Sequence, residues 1–157
     1  MQKVSLDNIG EFARKVLEYI PQTGERAAIV ALRGELGAGK TTFTQALARE
    51  LGVVDVVQSP TYVLMKSYEL PKPDRNNTST VSLFLQRFER LVHVDAYRLD
   101  APEQFAALRP ETFLDDPHAL VVVEWPERLG DALPTPDLVL NFSSTDAGEG
   151  ERYIEVV

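Results

Sequence analysis

Residues 34–41 of the sequence read Gly-Glu-Leu-Gly-Ala-Gly-Lys-Thr, which fits the pattern G-x-x-x-x-G-K-T. Glycines at these positions let the backbone bend sharply, so that its N–H groups can approach phosphate oxygens. The stretch follows an apolar run, residues 27–32, and precedes a segment whose apolar residues trace one helical face. A buried strand, a glycine-rich loop and a helix therefore occur in the order that a phosphate-binding P-loop requires.

The loop and the first turn of the following helix predict a site for ATP. Its expected contacts are Gly34, Gly37, Ala38, Gly39, Lys40, Thr41 and Thr42. The Lys40 ammonium can reach the β and γ phosphates, the Thr41 hydroxyl can ligate Mg²⁺, and Thr42 is placed to touch the α phosphate. ATP and Mg²⁺ are therefore the expected ligands.

The rest of the chain predicts an α/β fold, a single P-loop NTPase-like domain covering residues 1–157. Apolar residues between 6 and 20 recur at steps of three and four, which predicts an amphipathic helix that ends at Pro21. Further strands are predicted at 62–68, 83–95, 119–124, 137–142 and 153–157, and a short helix at 102–108. The Pro- and Asn-rich stretch at 71–80 predicts an exposed loop.

The composition indicates a cytoplasmic protein with no membrane span. Apolar residues make up 44% of the chain and charged residues 25%, and no apolar run approaches the length of a bilayer span. The absence of cysteine excludes disulfides and thiolate metal sites. A formal net charge of −8 argues against autonomous binding of nucleic acid, because phosphates would be repelled at long range.

Two apolar runs end in a carboxylate that could complete a nucleotide site. Asp95 ends the run 91–95 and Glu124 ends the run 119–124, and parallel sheets bind ligands beyond such strand ends. Pattern alone leaves each residue equally open to being a simple strand-end charge. His93 reads as a hydrogen-bonded core residue, and Trp125 could stack on a base or cap the core.

Four blocks of the sequence together resemble the TsaE (YjeE) family, the ATPase component of the bacterial machinery that makes threonylcarbamoyladenosine in tRNA. They are GELGAGKTTF at 34–43, SPTY at 59–62, HVDAYRL at 93–99 and VEWPE at 123–127. The resemblance implies a P-loop fold with a mixed, mainly parallel central sheet flanked by helices. It also implies work in a complex with the proteins TsaB and TsaD, through which tRNA would be contacted only indirectly.

The same resemblance implies roles for individual residues. Thr41 and Glu124 would hold Mg²⁺, and Asp95 would lie by the γ phosphate, so that Asp95 and Glu124 are the candidate catalytic residues. Residues 59–61 would form a switch-like loop in which Thr61 senses the nucleotide, and Trp125 is a further candidate contact. One departure from the family is a long connection at 69–90, which reads as a surface insertion.

Three other functions compete with an ATPase of this kind. A GTPase is disfavoured because the sequence has no N-K-x-D motif and no D-x-x-G after the P-loop. A small-molecule kinase would use the same loop, yet no arginine-rich lid segment stands out. A nucleotide-dependent switch module remains the third alternative. It would differ from the favoured ATPase because its hydrolysis of ATP would not increase when partners are added.

Overall fold

The structure is a computed structural model that describes residues 1–22, 24–58 and 64–157. In chain order its elements are β1 (Gln2–Ser5), α1 (Ile9–Leu17), β2 (Ala28–Gly34), α2 (Lys40–Glu50), β3 (Met65–Glu69), α3 (Thr80–Arg87), β4 (Arg90–Asp95), α4 (Glu111–Leu114), β5 (Ala119–Glu124), β6 (Leu138–Ser143) and β7 (Glu151–Val156). Short 3₁₀ helices lie at Pro102–Leu108, Pro126–Arg128 and Gly130–Ala132. The helices in these ranges are all too short or too polar to cross a lipid bilayer.

The described strands form one sheet in the order β1-β7-β6-β2-β5-β4-β3. The four central strands β6, β2, β5 and β4 run parallel, whereas the pairings of β1 with β7, β7 with β6, and β4 with β3 are antiparallel. The predicted α/β fold with a mixed sheet and a parallel centre is confirmed. Because β2, β4 and β5 point the same way, their carboxyl ends meet at one edge, beside the loop that leaves β2.

Helices cover both faces of the sheet and give two apolar cores. On one face α1, α2 and α3 pack on inward-pointing residues such as Val30, Leu120 and Val122. On the other face the first 3₁₀ helix and α4 pack on residues such as Val121 and Val123. The central strand β5 is buried over its whole length, which explains its unbroken apolar run.

The structure corrects the predictions around the sheet edges. Residues 83–95 do not form one strand, because Thr80–Arg87 is helix α3 and only Arg90–Asp95 is strand β4. Strand β1 was not predicted at all, and α1 is shorter than the predicted segment 6–20. The other strands lie within two residues of prediction, although the start of the predicted strand 62–68 falls outside the described residues.

The connection at 69–90 contains more than a loop. Ser79 caps α3 by accepting a hydrogen bond from the backbone N–H of Ser82, and the Ser82 hydroxyl bonds the carbonyl of Asp74 at 2.7 Å. Phe84 and Phe88 stack with ring centroids 4.2 Å apart in the core. The exposed part, residues 74–79, thus precedes a helix that is packed into the domain.

Candidate functional site

The P-loop connects the carboxyl end of β2 to the start of α2, as the sequence predicts. Gly34 has a φ of 140°, and a Cβ at this position would collide with the carbonyl of Phe142 on β6. Gly39, which precedes α2, has a φ of 98° in the left-handed region. These two positions require glycine, the first for close approach of a neighbouring strand and the second for its backbone conformation.

Lys40, the first residue of α2, contacts this loop through its side chain. Its ammonium donates to the carbonyls of Gly34 at 2.7 Å and Glu35 at 2.8 Å, and the residue is only 4% exposed. Burial lowers the pKa of Lys40, against the opposing attraction of Glu124 and other nearby carboxylates. The Lys40 ammonium is therefore poorly solvated, and its two hydrogen-bond acceptors are neutral carbonyls. A cation in this environment is suited to binding an anionic phosphate.

Glu124 at the end of β5 contacts the first turn of α2. The Thr41 hydroxyl lies 2.8 and 3.1 Å from the two oxygens of the Glu124 carboxylate. The Nε2 atom of His93, which is fully buried, lies 2.8 Å from Oε1 of the same carboxylate. His93 is therefore a hydrogen-bonded core residue, as expected, and its partner is a candidate site residue.

Asp95 ends β4 directly beside Glu124, since the two residues are partners in the parallel register of β4 and β5. Its Oδ1 atom accepts the backbone N–H of Tyr97 at 3.0 Å, and its side chain is almost fully buried. Two carboxylates predicted from separate apolar runs are thus brought to adjacent strand ends.

The loop and the strand ends enclose a cleft of about 360 Å³. Its lining residues are Leu36, Gly37, Gly39, Lys40, Thr41, Thr42, Asp95, Tyr97, Arg98, Glu124 and Trp125. Most of the sequence-predicted residues therefore come together in one cavity, while Gly34 and Ala38 form the loop behind it. Thr61 and the loop 59–61 lie outside the described residues.

Trp125 forms one wall of the cleft in a backbone conformation that is unusual for its residue type. Its φ is 59°, and its half-buried ring lies 4.2 Å from the Lys40 ammonium and 5.1 Å from the ring of Tyr97. A cation over an aromatic face is attracted by the ring quadrupole. This contact with Lys40 was not among the roles expected for Trp125.

The turn of the β6–β7 hairpin is hydrogen-bonded to the P-loop. The Glu35 carboxylate accepts the backbone N–H of Ser144 at 2.7 Å and the Ser144 hydroxyl at 2.9 Å. The bond from the Ser144 backbone is the largest cause of a lowered pKa for Glu35. Glu35 is a variable position of the loop pattern, so the pattern gives no signal for this contact.

Tyr97 and Arg98 are lining residues that sequence reasoning did not select. Both follow Asp95 in the turn after β4 and belong to the block HVDAYRL at 93–99, which carries part of the family resemblance but assigns neither residue a role. Among the described residues, no three His, Cys, Asp or Glu side chains converge as a protein-only metal centre requires. The oxygens of Thr41 and Glu124 are instead ligands of the kind that Mg²⁺ uses together with phosphate oxygens and water.

The sheet order, the strand–loop–helix unit and its glycine pattern define a protein of the P-loop NTPase-like class. The model of the family described as "Threonylcarbamoyl adenosine biosynthesis protein TsaE" matches residues 5–154, and the chain belongs to this family. Proteins of this family take part in the biosynthesis of threonylcarbamoyladenosine in tRNA.

Relatives and a solved structure agree with this membership. The chain is 29% identical to the tRNA threonylcarbamoyladenosine biosynthesis protein TsaE of Haemophilus influenzae, over 93% of this chain and 80% of that protein. It is 35% identical to the protein of that name from Streptomyces coelicolor, over 82% of this chain and 78% of that protein. The crystal structure of Bacillus subtilis YdiB superposes with a TM-score of 0.60 at 26% identity, covering 98% of this chain and 80% of that one.

Proposed function

We propose that this protein is an ATP-binding and ATP-hydrolysing subunit that supports threonylcarbamoyladenosine modification of tRNA in a complex with TsaB and TsaD. The observation that carries the proposal is the contact between Thr41 of the P-loop helix and Glu124 of β5, with the Lys40 ammonium buried beside them. A loop lysine, a helix hydroxyl and a strand-end carboxylate are the parts that P-loop enzymes use on a metal-bound triphosphate.

Each part has a proposed role. Lys40 and the loop N–H groups, with Thr42, bind the phosphates, and Thr41 and Glu124 hold Mg²⁺, which neutralises charge on the transferred phosphoryl group when bound. Asp95 and Glu124 are the candidates for orienting the attacking water, and their adjacent positions leave both open to either role. Trp125 and Thr61 are proposed as further nucleotide contacts.

The partners follow from the family and from the charge of the chain. The matched relatives are named for biosynthesis of the modified tRNA nucleoside, whereas this chain carries a net charge of −8. A protein so acidic repels nucleic acid at long range, so tRNA is proposed to be bound through TsaB and TsaD. The protein is proposed to act in the cytoplasm as one domain, residues 1–157.

Hydrolysis measured with and without partners tests this function. Phosphate release from Mg-ATP by the purified protein should be slow and should rise when TsaB and TsaD of the same organism are added. A Lys40→Ala protein should bind ATP weakly, and its phosphate release should not increase when the partners are added, because the P-loop site loses the charge that faces the phosphates. Tight ATP binding without hydrolysis in the full mixture would favour a nucleotide-dependent switch instead.

A further inference from the structure

Arg152 of β7 packs against the P-loop at Gly39. The residue is 7% exposed, and a Cβ placed on Gly39 would collide with its Nη1 atom and lie 3.1 Å from its Cδ and Cζ atoms. The guanidinium therefore packs directly against the residue that precedes α2. It is not among the residues that line the cleft.

The charge of Arg152 has no acidic partner among the described residues. Its Nε atom has no hydrogen-bond acceptor there, and its Nη2 atom makes only a long bond of 3.4 Å to the carbonyl of Gly150. The neighbouring Glu151 pairs with Lys3 at 2.7 Å instead. Burial lowers the pKa of Arg152, yet a guanidinium keeps its proton at neutral pH.

This position is unfavourable for a cation in the ligand-free protein. The start of a helix carries roughly half a positive charge, and a buried unpaired charge loses its hydration. The Lys40 ammonium adds a second cation at the same helix start. An anion bound in the loop would attract Arg152, Lys40 and the helix start alike, and these attractions would offset the repulsion and the lost hydration.

We propose that Arg152 is a positioning residue of the phosphate site, which raises affinity for a polyphosphate through its charge and without touching the ligand. The inference rests on the proposed function, because it requires the loop to bind a nucleoside triphosphate. It adds a role for β7, a strand that carries none of the P-loop sequence pattern.

The test compares Arg152→Met, which removes the charge but keeps apolar bulk, with Arg152→Lys, which retains it. For both variants, calorimetry measures the Kd for Mg-ATP, and the midpoint of thermal unfolding is measured without ligand. Arg152→Met should weaken Mg-ATP binding about tenfold, the order expected for one charge acting over ~10 Å at an effective dielectric constant of about 20. Its ligand-free midpoint should be unchanged or raised, and Arg152→Lys should keep most of the affinity.

Lys3→Met is the matched control, since it removes one positive charge from the neighbouring strand β1 at an exposed ion pair. It should leave the Kd unchanged. Should Arg152→Met fail to fold, Arg152→Gln supplies the uncharged variant.

Two results would overturn the inference. One is wild-type affinity in the uncharged variant. The other is an equal loss of affinity in Arg152→Met and Arg152→Lys together with a lowered ligand-free midpoint, which would assign Arg152 a packing role only. A wild-type protein that binds Mg-ATP no better than Lys40→Ala would instead refute the proposed function itself.

Discussion

Glu124 is held from two directions at the end of β5. The Thr41 hydroxyl, on α2, donates a hydrogen bond to the carboxylate, and the Nε2 atom of His93, on β4, forms a second hydrogen bond with it. Because a carboxylate accepts hydrogen bonds, the contact assigns the imidazole proton to Nε2, the atom that faces Oε1. The Nδ1 atom of His93 has no partner within the described residues. Among the described residues the imidazole is hydrogen-bonded to this carboxylate only, and the bond fixes the orientation of the carboxylate.

Replacing His93 should therefore disturb the metal-dependent part of nucleotide binding. In His93→Leu the buried carboxylate loses a donor, at a cost of about 1–3 kcal/mol. We expect Mg²⁺ to strengthen ATP binding less in this variant, with binding of metal-free ATP little changed. His93→Gln is the matched control, because its amide can donate from nearly the same position. Titrations of ATP with and without Mg²⁺ measure the difference, and equal Mg²⁺ dependence in all three proteins would contradict the role.

Trp125 should report on nucleotide binding, since its ring lies against the Lys40 ammonium. When phosphates attract the ammonium, the indole loses or changes its cation contact, which alters its emission. Trp125 is the only tryptophan, so the signal has one source. Adding Mg-ATP should change the fluorescence of the wild-type protein and leave Lys40→Ala unaffected. A constant spectrum during a titration in which calorimetry detects binding would separate Trp125 from the site.

At the scale of elements, the contact between Glu35 and Ser144 joins the P-loop to the β6–β7 hairpin. Hydrogen bonds donated by Ser144, above all by its backbone N–H, lower the pKa of Glu35, so the folded protein favours the ionised carboxylate. The stability from this contact is present above the unfolded pKa of about 4.3 and is lost as pH falls through the lower folded value. Because Glu35 is exposed, we expect less than about 1 kcal/mol.

Glu35→Gln should accordingly lower the free energy of unfolding at pH 7 and lose this difference from wild type at low pH. Urea unfolding at several pH values measures both quantities. Glu149→Gln, which alters an exposed carboxylate of the same hairpin, should show neither effect. A deficit in Glu35→Gln that persists unchanged below the folded pKa would contradict the assignment.

The central elements could be predicted from sequence, whereas the outer ones could not. Strands β2 and β5 are buried on both faces, so their composition shows in unbroken apolar runs, and the loop between β2 and α2 has a fixed pattern. Helix α3 does not show in the sequence because its short Leu-Phe-Leu run suits a strand equally well, and because its capping residue Ser79 lies in a polar, turn-rich stretch. Strand β1 has four residues and only Val4 fully buried, too few to show alternation.

The residues of the candidate site likewise differ in how far the sequence predicts them. Residues within the loop pattern or at strand ends can be selected from sequence as candidates, because their proposed chemistry depends on local sequence position. Sequence does not single out Glu35 and Tyr97, because their partners Ser144 and Trp125 lie on other elements. The proposed role of Arg152 depends on its having no acidic partner among the described residues, which sequence cannot show.

At the scale of the molecule, the two cores lie on opposite faces of one sheet and share its central strands. Loss of β2 or β5 would expose both cores at once, so we expect the protein to unfold as a single unit. Far-ultraviolet circular dichroism and Trp125 fluorescence should give the same transition in urea. Two separated transitions would contradict the proposal that residues 1–157 form one domain.

Glu35 and Ser144 are 109 residues apart in sequence, so a ribosome makes one partner of this hydrogen bond well before the other. A ribosome adding about 5–20 residues per second makes Ser144 about 5–20 s after Glu35. During that interval the glycine loop exists without the hairpin that supports it. On the proposed function we expect full nucleotide affinity only after the hairpin has formed, so that bound ATP would stabilise chains whose sheet is already complete.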